Sequence, residues 1–587
     1  MTTQEPNYFK SLTSDVLISL EALQRDGHIG KVGSTDRLTV EPPRDLSHGD
    51  VATNAALVLS KQVRMSPREL ATLLADEMMK LPHIETATVA GPGFLNLKLT
   101  NAFWQDCLRT LLFDAKNYGS SSLGEGKSVN VEYVSTNPTG PMHIGHSRGA
   151  IVGDALSRLL TKVGFDVIKE YYVNDAGAQV QALGRSLYAR YQEHFGVKIS
   201  ELGDYGGDYL IPVAQKIAAQ EGNKWLDHPE SEWRDLFRAF AVESMMEMIR
   251  SDLALLNIHH DVFTSEKELV DEGLVQEALD VLAEKGLIYE GVLEPPKGKQ
   301  IEDYDAREQT LFRSTDFGDD VDRALKKSDG SWTYFASDIA YHYDKFKRGA
   351  SHMINVWGAD HGGYVKRLQS AVRAITQGQG SMSVILCQMV KFLEGGQAFK
   401  MSKRAGTFIS LADALEKVGR DALRFVMLTR KSDAPLDFDF EKVVEQSKDN
   451  PVFYVQYASA RCHSVLRHAK EAFPEADFSC KGLAEINFEE LTNTSDLSVV
   501  KLLASWPRQV ESAALAEEPH RIAYFMQDVA AAFHSLWNQG KEETQLRFVH
   551  PDDLVKTYQR LALVQAVLAV LRSGLDLLGV TLTKEMR

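Results

Sequence analysis

At 587 residues, with 44% hydrophobic and 25% charged side chains, the chain has the composition of a globular protein long enough for three or four cores. Its net charge of −16 argues against a body that coats nucleic acid, so any such partner must be met by a local basic track. Cys107, Cys387, Cys462 and Cys480 are scattered with no Cys-x-x-Cys pair, which excludes a disulfide framework or a thiolate zinc site and fits a reducing cytoplasm.

From the start of the chain, Met1 to Leu23 carries Lys10, Asp15 and Glu21 among its apolar positions and reads as an ordinary helix rather than an export signal. Gly91-Pro92-Gly93 turns into an alternating strand, Phe94 to Leu99, in which Phe94 faces away from Leu95. The polar stretch Asn117 to Lys127 is the best linker. After it, Val129, Val131 and Tyr133 alternate with Asn130 and Glu132, and Asn137-Pro138-Thr139-Gly140-Pro141 stops that strand. Ile151, Val152, Ala155, Leu156, Leu159 and Val163 then recur at helical spacing, Gly164 ends the helix, and Asp166 to Val173 is the next strand. Strand, turn, helix, strand is the unit of a parallel doubly wound sheet, whose ligands lie at the carboxyl ends of strands. From about Arg185 to Tyr304 a helix-rich, charged segment reads as an insertion. A second α/β half follows, with strands at Met353 to Trp357 and Ser383 to Gln388, and after Asn450 the spacing is all-helical. The apolar run Leu561 to Leu571 is interrupted by Gln565 and falls short of the roughly 20 residues of a membrane span.

No Gly-x-x-x-x-Gly-Lys-Ser/Thr loop and no complete Gly-x-Gly-x-x-Gly is present, so a nucleotide must be held another way. His143-Ile144-Gly145-His146 opens a helix, where backbone amides and the dipole favour phosphate, and imidazoles there can donate to an α-phosphate. Gly145 allows the nucleotide close approach. Lys400-Met401-Ser402-Lys403, followed by Arg404, could neutralise a leaving pyrophosphate, at roughly 3 kcal/mol of transition-state stabilisation per donor. Either run alone is weak, the second being an ordinary solvated turn. Their joint occurrence in this order is specific. Lys400, Lys403 and Arg404, then Arg420, Arg424, Arg430 and Lys431, and later Arg461, Arg467 and Lys470 read as solvated helix faces, or else as a basic track.

Together these two motifs resemble the paired signatures of class I aminoacyl-tRNA synthetases. Glu132 to His146, Tyr171-Tyr172-Val173-Asn174-Asp175-Ala176-Gly177, Gly358 to Tyr364, Asp421-Ala422-Leu423-Arg424 and Asn450 to Ala458 resemble the bacterial arginyl-tRNA synthetases, and nearly the whole chain is covered. The resemblance implies a multidomain protein. An α+β N-terminal domain that binds the D-loop of tRNA would span 1–115, and a Rossmann-like (HUP-type) parallel-sheet catalytic domain 120–445, with a helical insertion at about 185–304. A helical anticodon-binding domain of the DALR type would span 446–587.

It implies an arginine–tRNA ligase that forms arginyl-adenylate from ATP, brought with Mg2+, and passes the arginine to the terminal adenosine of tRNA(Arg). By similarity, His143, His146, Lys400 and Lys403 are catalytic, and His143, Gly145, His146 and Lys400 to Lys403 hold ATP. Glu132, Tyr334 and Asp338 grip the guanidinium, Asn137 and Asp360 hold the α-amino group, and His146 approaches the carboxylate. Some relatives carry glutamine in place of Asp360. Relatives lacking the second lysine often carry one before the His-containing motif; this chain keeps Lys403 and has Gly140 there. Phe94, Asn96, Tyr454, Tyr457 and Met586 match tRNA-contacting positions, although packing within a strand or a helical core stripe explains the first four equally, and Arg587 extends past Met586. A cytoplasmic monomer with no protein-bound metal and no membrane contact is expected. The open alternatives are a class I enzyme for lysine and a non-catalytic tRNA-binding protein on the same scaffold.

Overall fold

The computed structural model describes residues 6–293, 307–398 and 409–586. The first unit is a four-stranded antiparallel sheet, ordered Val40–Glu41, Val51–Thr53, Phe94–Leu99, Ile84–Ala90, with helices Tyr8–Arg25 and Pro67–Met78 packed against it. Ser66 starts the second helix with a reciprocal capping box to Glu69, and Pro67 stands in the first turn, where its missing N–H costs nothing. Leu95, Leu97 and Leu99 are buried as one face of a covered strand, while on the other face Phe94 is 43% exposed and Asn96 is buried, so the alternation is incomplete.

The segment 117–127 contains turns, as its composition suggests, but it is not a loose tether. Tyr118 is buried, its hydroxyl donates to the Leu503 carbonyl (3.4 Å), and a side chain on Gly119 would strike the Trp506 indole. C-terminal helices therefore clamp the connection, a tertiary constraint that polarity alone does not reveal.

The centre is a five-stranded, wholly parallel sheet ordered Ser381–Cys387, His352–Gly358, Ser128–Glu132, Asp166–Val173, Val262–Ser265. The order reverses between Ser128–Glu132 and His352–Gly358, which creates a crevice at their carboxyl ends. Helix Ser147–Lys162 lies on one face, where Gly153 is needed because a Cβ would sit 2.2 Å from the Tyr133 ring. On the other face Tyr334–Lys347 covers an unusual polar layer.

The expected insertion at 185–304 needs correction. Helices Ala178–His194, Leu210–Glu221 and Glu230–Leu255 do form a separate apolar cluster around Leu187, Tyr191, Ile217 and Phe237. The chain then returns to the main sheet at Val262–Ser265 before it leaves again. Four residues are too few to show a period-2 pattern, and charged neighbours hide them. A second antiparallel sheet, Arg323–Ala324, Gln309–Phe312, Ile288–Gly291, follows.

After Asn450 the chain is helical. Asn450 caps Pro451–Ala472 by accepting from the Val452 and Phe453 amides. Among the described residues one helix, Leu554–Leu578, is long and apolar enough to cross a membrane, and most of it is buried among its neighbours. Arg424 belongs to no surface track, contrary to the reading from charge: its side chain is fully buried. It donates to Asp154 (2.5 Å) on the helix that follows the His motif, to the Leu256 carbonyl (2.8 Å) and to the Leu578 carbonyl (2.8 Å). One guanidinium thus joins the helix Ser147–Lys162, the end of the insertion helix Glu230–Leu255 and the last C-terminal helix. Arg424→Ala removes the donor to the Leu256 and Leu578 carbonyls and leaves Asp154 with Arg158 (2.7 Å), and is expected to cost about 2–4 kcal/mol. Thermal and urea melts check this; an unchanged midpoint would contradict the joint.

Candidate active site

The site begins where the strand Ser128–Glu132 ends. Val134 (φ 72°) and Ser135 (φ 39°) are left-handed although neither is glycine, and strain of this kind is found where a turn is over-determined by its surroundings. Those surroundings are on hand. The Ser135 hydroxyl accepts from the Tyr172 amide (3.0 Å) and lies 3.3 Å from Glu132 Oε1, and the Tyr171 hydroxyl donates to the Thr136 carbonyl (2.7 Å). Further on, the Met142 amide donates to Asp252 (2.9 Å), and the Tyr209 hydroxyl donates to the Thr139 carbonyl (2.9 Å). Both partners belong to insertion helices or their approach, so the insertion shapes this loop.

His143 and His146 stack with ring centroids 3.7 Å apart at the opening of the helix. His143 Nδ1 accepts from the Gly145 amide (3.1 Å) and His146 Nδ1 from the His143 amide (3.2 Å), so each neutral ring carries its proton on Nε2. Two ring donors are thereby oriented together. Arg148, one turn on and fully buried, donates to the carbonyls of Gln388, Lys431 and Ala434 at 2.8–2.9 Å and pins the helix to the far strand.

Lys400, Met401, Ser402 and Lys403 lie outside the described residues. Their flanks are informative. The chain leaves the hairpin Val390–Glu394 and Gln397–Ala398, and it re-emerges at Ile409 directly against the His motif. The Ile144 amide donates to the Ile409 carbonyl (3.2 Å), the Leu411 amide to the Met142 carbonyl (3.0 Å), and Ser410 pairs with His143.

Beside this turn lies the polar layer. Asp338, His342 and Lys345 share one face of Tyr334–Lys347 at i, i+4 and i+7. Lys345 is fully buried and donates to Glu132 Oε2 (2.7 Å), which also accepts from Asn355 (3.1 Å). Asn355 spends its second N–H on His342 Nε2 (3.0 Å), while His342 Nδ1 donates to the Asp338 carbonyl (2.8 Å). Burial, helped by Lys345, pushes His342 down to about 3, so it is neutral. Glu170 accepts from Asn130 (2.6 Å), Thr264 (2.5 Å) and Arg348 (2.8 Å). Burial alone would raise its pKa, but Lys345, Arg348 and Thr264 outweigh that and hold it at about 2. Asp338 differs: burial, with Glu132 and Glu266 nearby, pushes it up to about 7 against the opposing Tyr364 hydroxyl (2.5 Å) and Lys345.

Of the other residues named from sequence, Tyr334 is 65% exposed at the start of the same helix with the Lys327 ammonium 5.4 Å above its ring. Asn137 donates to Gln179 (2.9 Å), and Asp360 is exposed, 3.6 Å from His361. Glu132, Tyr334 and Asp338 thus cluster around one helix, whereas Asn137 and Asp360 keep separate partners. Far away, Asn96 is buried although Phe94 is not. Tyr454 and Tyr457 both face His534 (centroids 4.5 and 5.6 Å), and Arg461 stacks on Tyr457 at 4.1 Å. Met586 lines a cleft with Arg420, Phe453 and Gln456. Sequence reasoning missed Arg148, Asp252, His342, Lys345 and Asn355; the only signal was polar residues at core spacing. Among the described residues no group of three or more His, Cys, Asp or Glu could hold a metal.

Three family models match the chain in succession: the arginyl-tRNA synthetase N-terminal domain over residues 12–99, the class I (R) tRNA synthetase catalytic domain over 108–447, and the DALR anticodon-binding domain over 455–586. The chain belongs to the arginyl-tRNA synthetase family. Arginine–tRNA ligases of Rhodospirillum rubrum (53% identical, 99% of this chain and 100% of the relative) and Methylorubrum extorquens (54%, 99% and 100%) match throughout. Among solved structures, a putative arginyl-tRNA synthetase from Campylobacter jejuni is 28% identical with a TM-score of 0.71, covering 83% of this chain and all of that one. The Thermus thermophilus arginyl-tRNA synthetase shares the fold at a TM-score of 0.73 and 22% identity, over 98% of this chain and 100% of that one. The parallel sheet and its crevice are accordingly those of a class I arginyl-tRNA synthetase, and the helical C-terminal region is its DALR domain.

Proposed function

We propose the following division of labour for this arginine–tRNA ligase. ATP enters with Mg2+, and its α-phosphate accepts hydrogen bonds from the Nε2–H groups of His143 and His146, with Gly145 leaving room for the nucleotide. A carboxylate oxygen of arginine attacks the α-phosphorus, the bond to the oxygen bridging to the β-phosphate breaks, and Lys400 and Lys403 take up the pyrophosphate charge, with Met401 and Ser402 also holding ATP. The 2′-hydroxyl of the terminal adenosine of tRNA(Arg) then attacks the acyl carbon, and AMP leaves.

Glu132 and Asp338 accept from the guanidinium, Tyr334 closes over it, Asn137 and Asp360 take the α-amino group, and His146 reaches the carboxylate. Residues 1–115 meet the D-loop through Phe94 and Asn96, and 446–587 meet the anticodon through Tyr454, Tyr457 and Met586. The protein works as a monomer in the cytoplasm.

The observation that carries this reading is the backbone ladder that sets Ile409 to Leu411, which follow Lys400 to Lys403 closely in sequence, against the His motif. With tRNA present, pyrophosphate exchange into ATP is expected with arginine and absent with lysine; the reverse pattern would contradict the assignment. Lys403→Ala is expected to slow adenylate formation by roughly 10²-fold or more and to leave tRNA affinity nearly unchanged, whereas equal losses would favour a binding protein.

Asp338 supplies a pH test. A guanidinium requires its carboxylate form, and in the empty site that group titrates at about 7, so arginine binding displaces a proton. The KM for arginine is expected to rise as pH falls through about 7, and Asp338→Asn to raise it throughout while flattening the profile. A wild-type KM that does not vary between pH 6 and 8 would contradict this role.

A further inference from the structure

We propose that Lys345 is a specificity-determining positioning residue, a resident buried cation that neutralises Glu132 so that the pocket accepts a guanidinium and refuses a primary ammonium. The inference rests on reading Glu132 and Asp338 as guanidinium ligands.

Lys345 saturates one oxygen of Glu132. Its Nζ lies 2.7 Å from Oε2, which the Asn355 amide also reaches at 3.1 Å, whereas among the described residues Oε1 has the Ser135 hydroxyl at 3.3 Å. Glu132 therefore offers a directed acceptor at Oε1 with little net charge behind it. The second carboxylate of the layer is matched too, Glu170 by Arg348 at 2.8 and 3.0 Å, and His342 between them is neutral. Lys345 itself is held in place by the Tyr341 ring, 4.1 Å away. Asp338, by contrast, has no ion-pair partner among the described residues. The cation that enters thus meets one unmatched carboxylate and one neutralised but well-aimed one.

That arrangement treats the two basic amino acids differently. An ammonium is a compact, strongly hydrated point charge whose gain comes from net field, and here the Lys345 ammonium repels it from behind Glu132. A guanidinium is planar and weakly hydrated, spreads its charge, and can aim separate N–H groups at Oε1 of Glu132 and at Asp338. A pocket with Glu132 unpaired would attract both.

The test uses the full-length enzyme with tRNA(Arg) and measures pyrophosphate exchange with arginine and with lysine. Lys345→Met removes charge and donor; Lys345→Gln keeps a donor and removes only charge. In both, the ratio of kcat/KM for arginine over lysine is expected to fall on the order of tenfold, with the KM for ATP unchanged. A ratio preserved in Lys345→Gln overturns the proposal, even if Lys345→Met does not fold, because a purely structural lysine would lower stability without altering the ratio. Glu132→Gln in parallel separates the two readings. A raised KM for arginine there, with discrimination intact in Lys345→Gln, removes only the role of Lys345. An unchanged KM for arginine removes the underlying role of Glu132.

Discussion

The candidate active site depends on a short antiparallel ladder: Ile144 to Ile409, Leu411 to Met142, with His143 and Ser410 opposite one another. It joins segments more than 250 residues apart in a chain whose main sheet is otherwise parallel. Backbone hydrogen bonds in a partly buried crevice fix register as well as proximity, because a slip by one residue would reverse every side chain. The ladder therefore fixes Ile409 to Leu411 relative to two stacked imidazoles, and Arg148 and Asp252 hold the other sides of the same turn.

The proposed specificity draws on a different resource. The face of the sheet under Tyr334–Lys347 carries Asn130, Glu132, Glu170 and Asn355 where aliphatic residues are the rule, and each charged member has a partner within hydrogen-bond reach. Such a layer adds little to stability over an apolar one of equal volume, since desolvating the ions cancels much of their attraction. Its value is rigidity. On the proposed reading, acceptors that cannot reorient would discriminate between cations of similar charge and different shape, while burial raises Asp338 to about 7.

Much of this was legible in the amino-acid order. The strand Asp166–Val173, the helix after the His motif and the helical C-terminus follow from periodicity over eight or more residues, where the signal is strong. What escaped detection depends on distant partners. Val262–Ser265 is too short to announce itself and becomes a strand because Tyr171 and Val173 offer it an edge. Arg424 looks like a surface cation until two helix ends and Asp154 enclose it. Lys345 and His342 read as the polar side of an ordinary helix, since nothing local says that a carboxylate from Glu132 waits across the sheet. Gly119 reads as linker because the indole that covers it lies nearly four hundred residues on. Sequence pattern reports local preference, and these four features are set by tertiary enclosure.

The most direct measurement is a crystal structure of the enzyme with ATP, Mg2+ and a non-reactive arginine analogue bound. The account predicts the α-phosphate within hydrogen-bond distance of Nε2 of His143 and His146, with the Lys400 and Lys403 ammonium groups on the β- and γ-phosphates of the same molecule. Phosphates seated away from the imidazoles, or lysines turned toward a separate crevice, would contradict it.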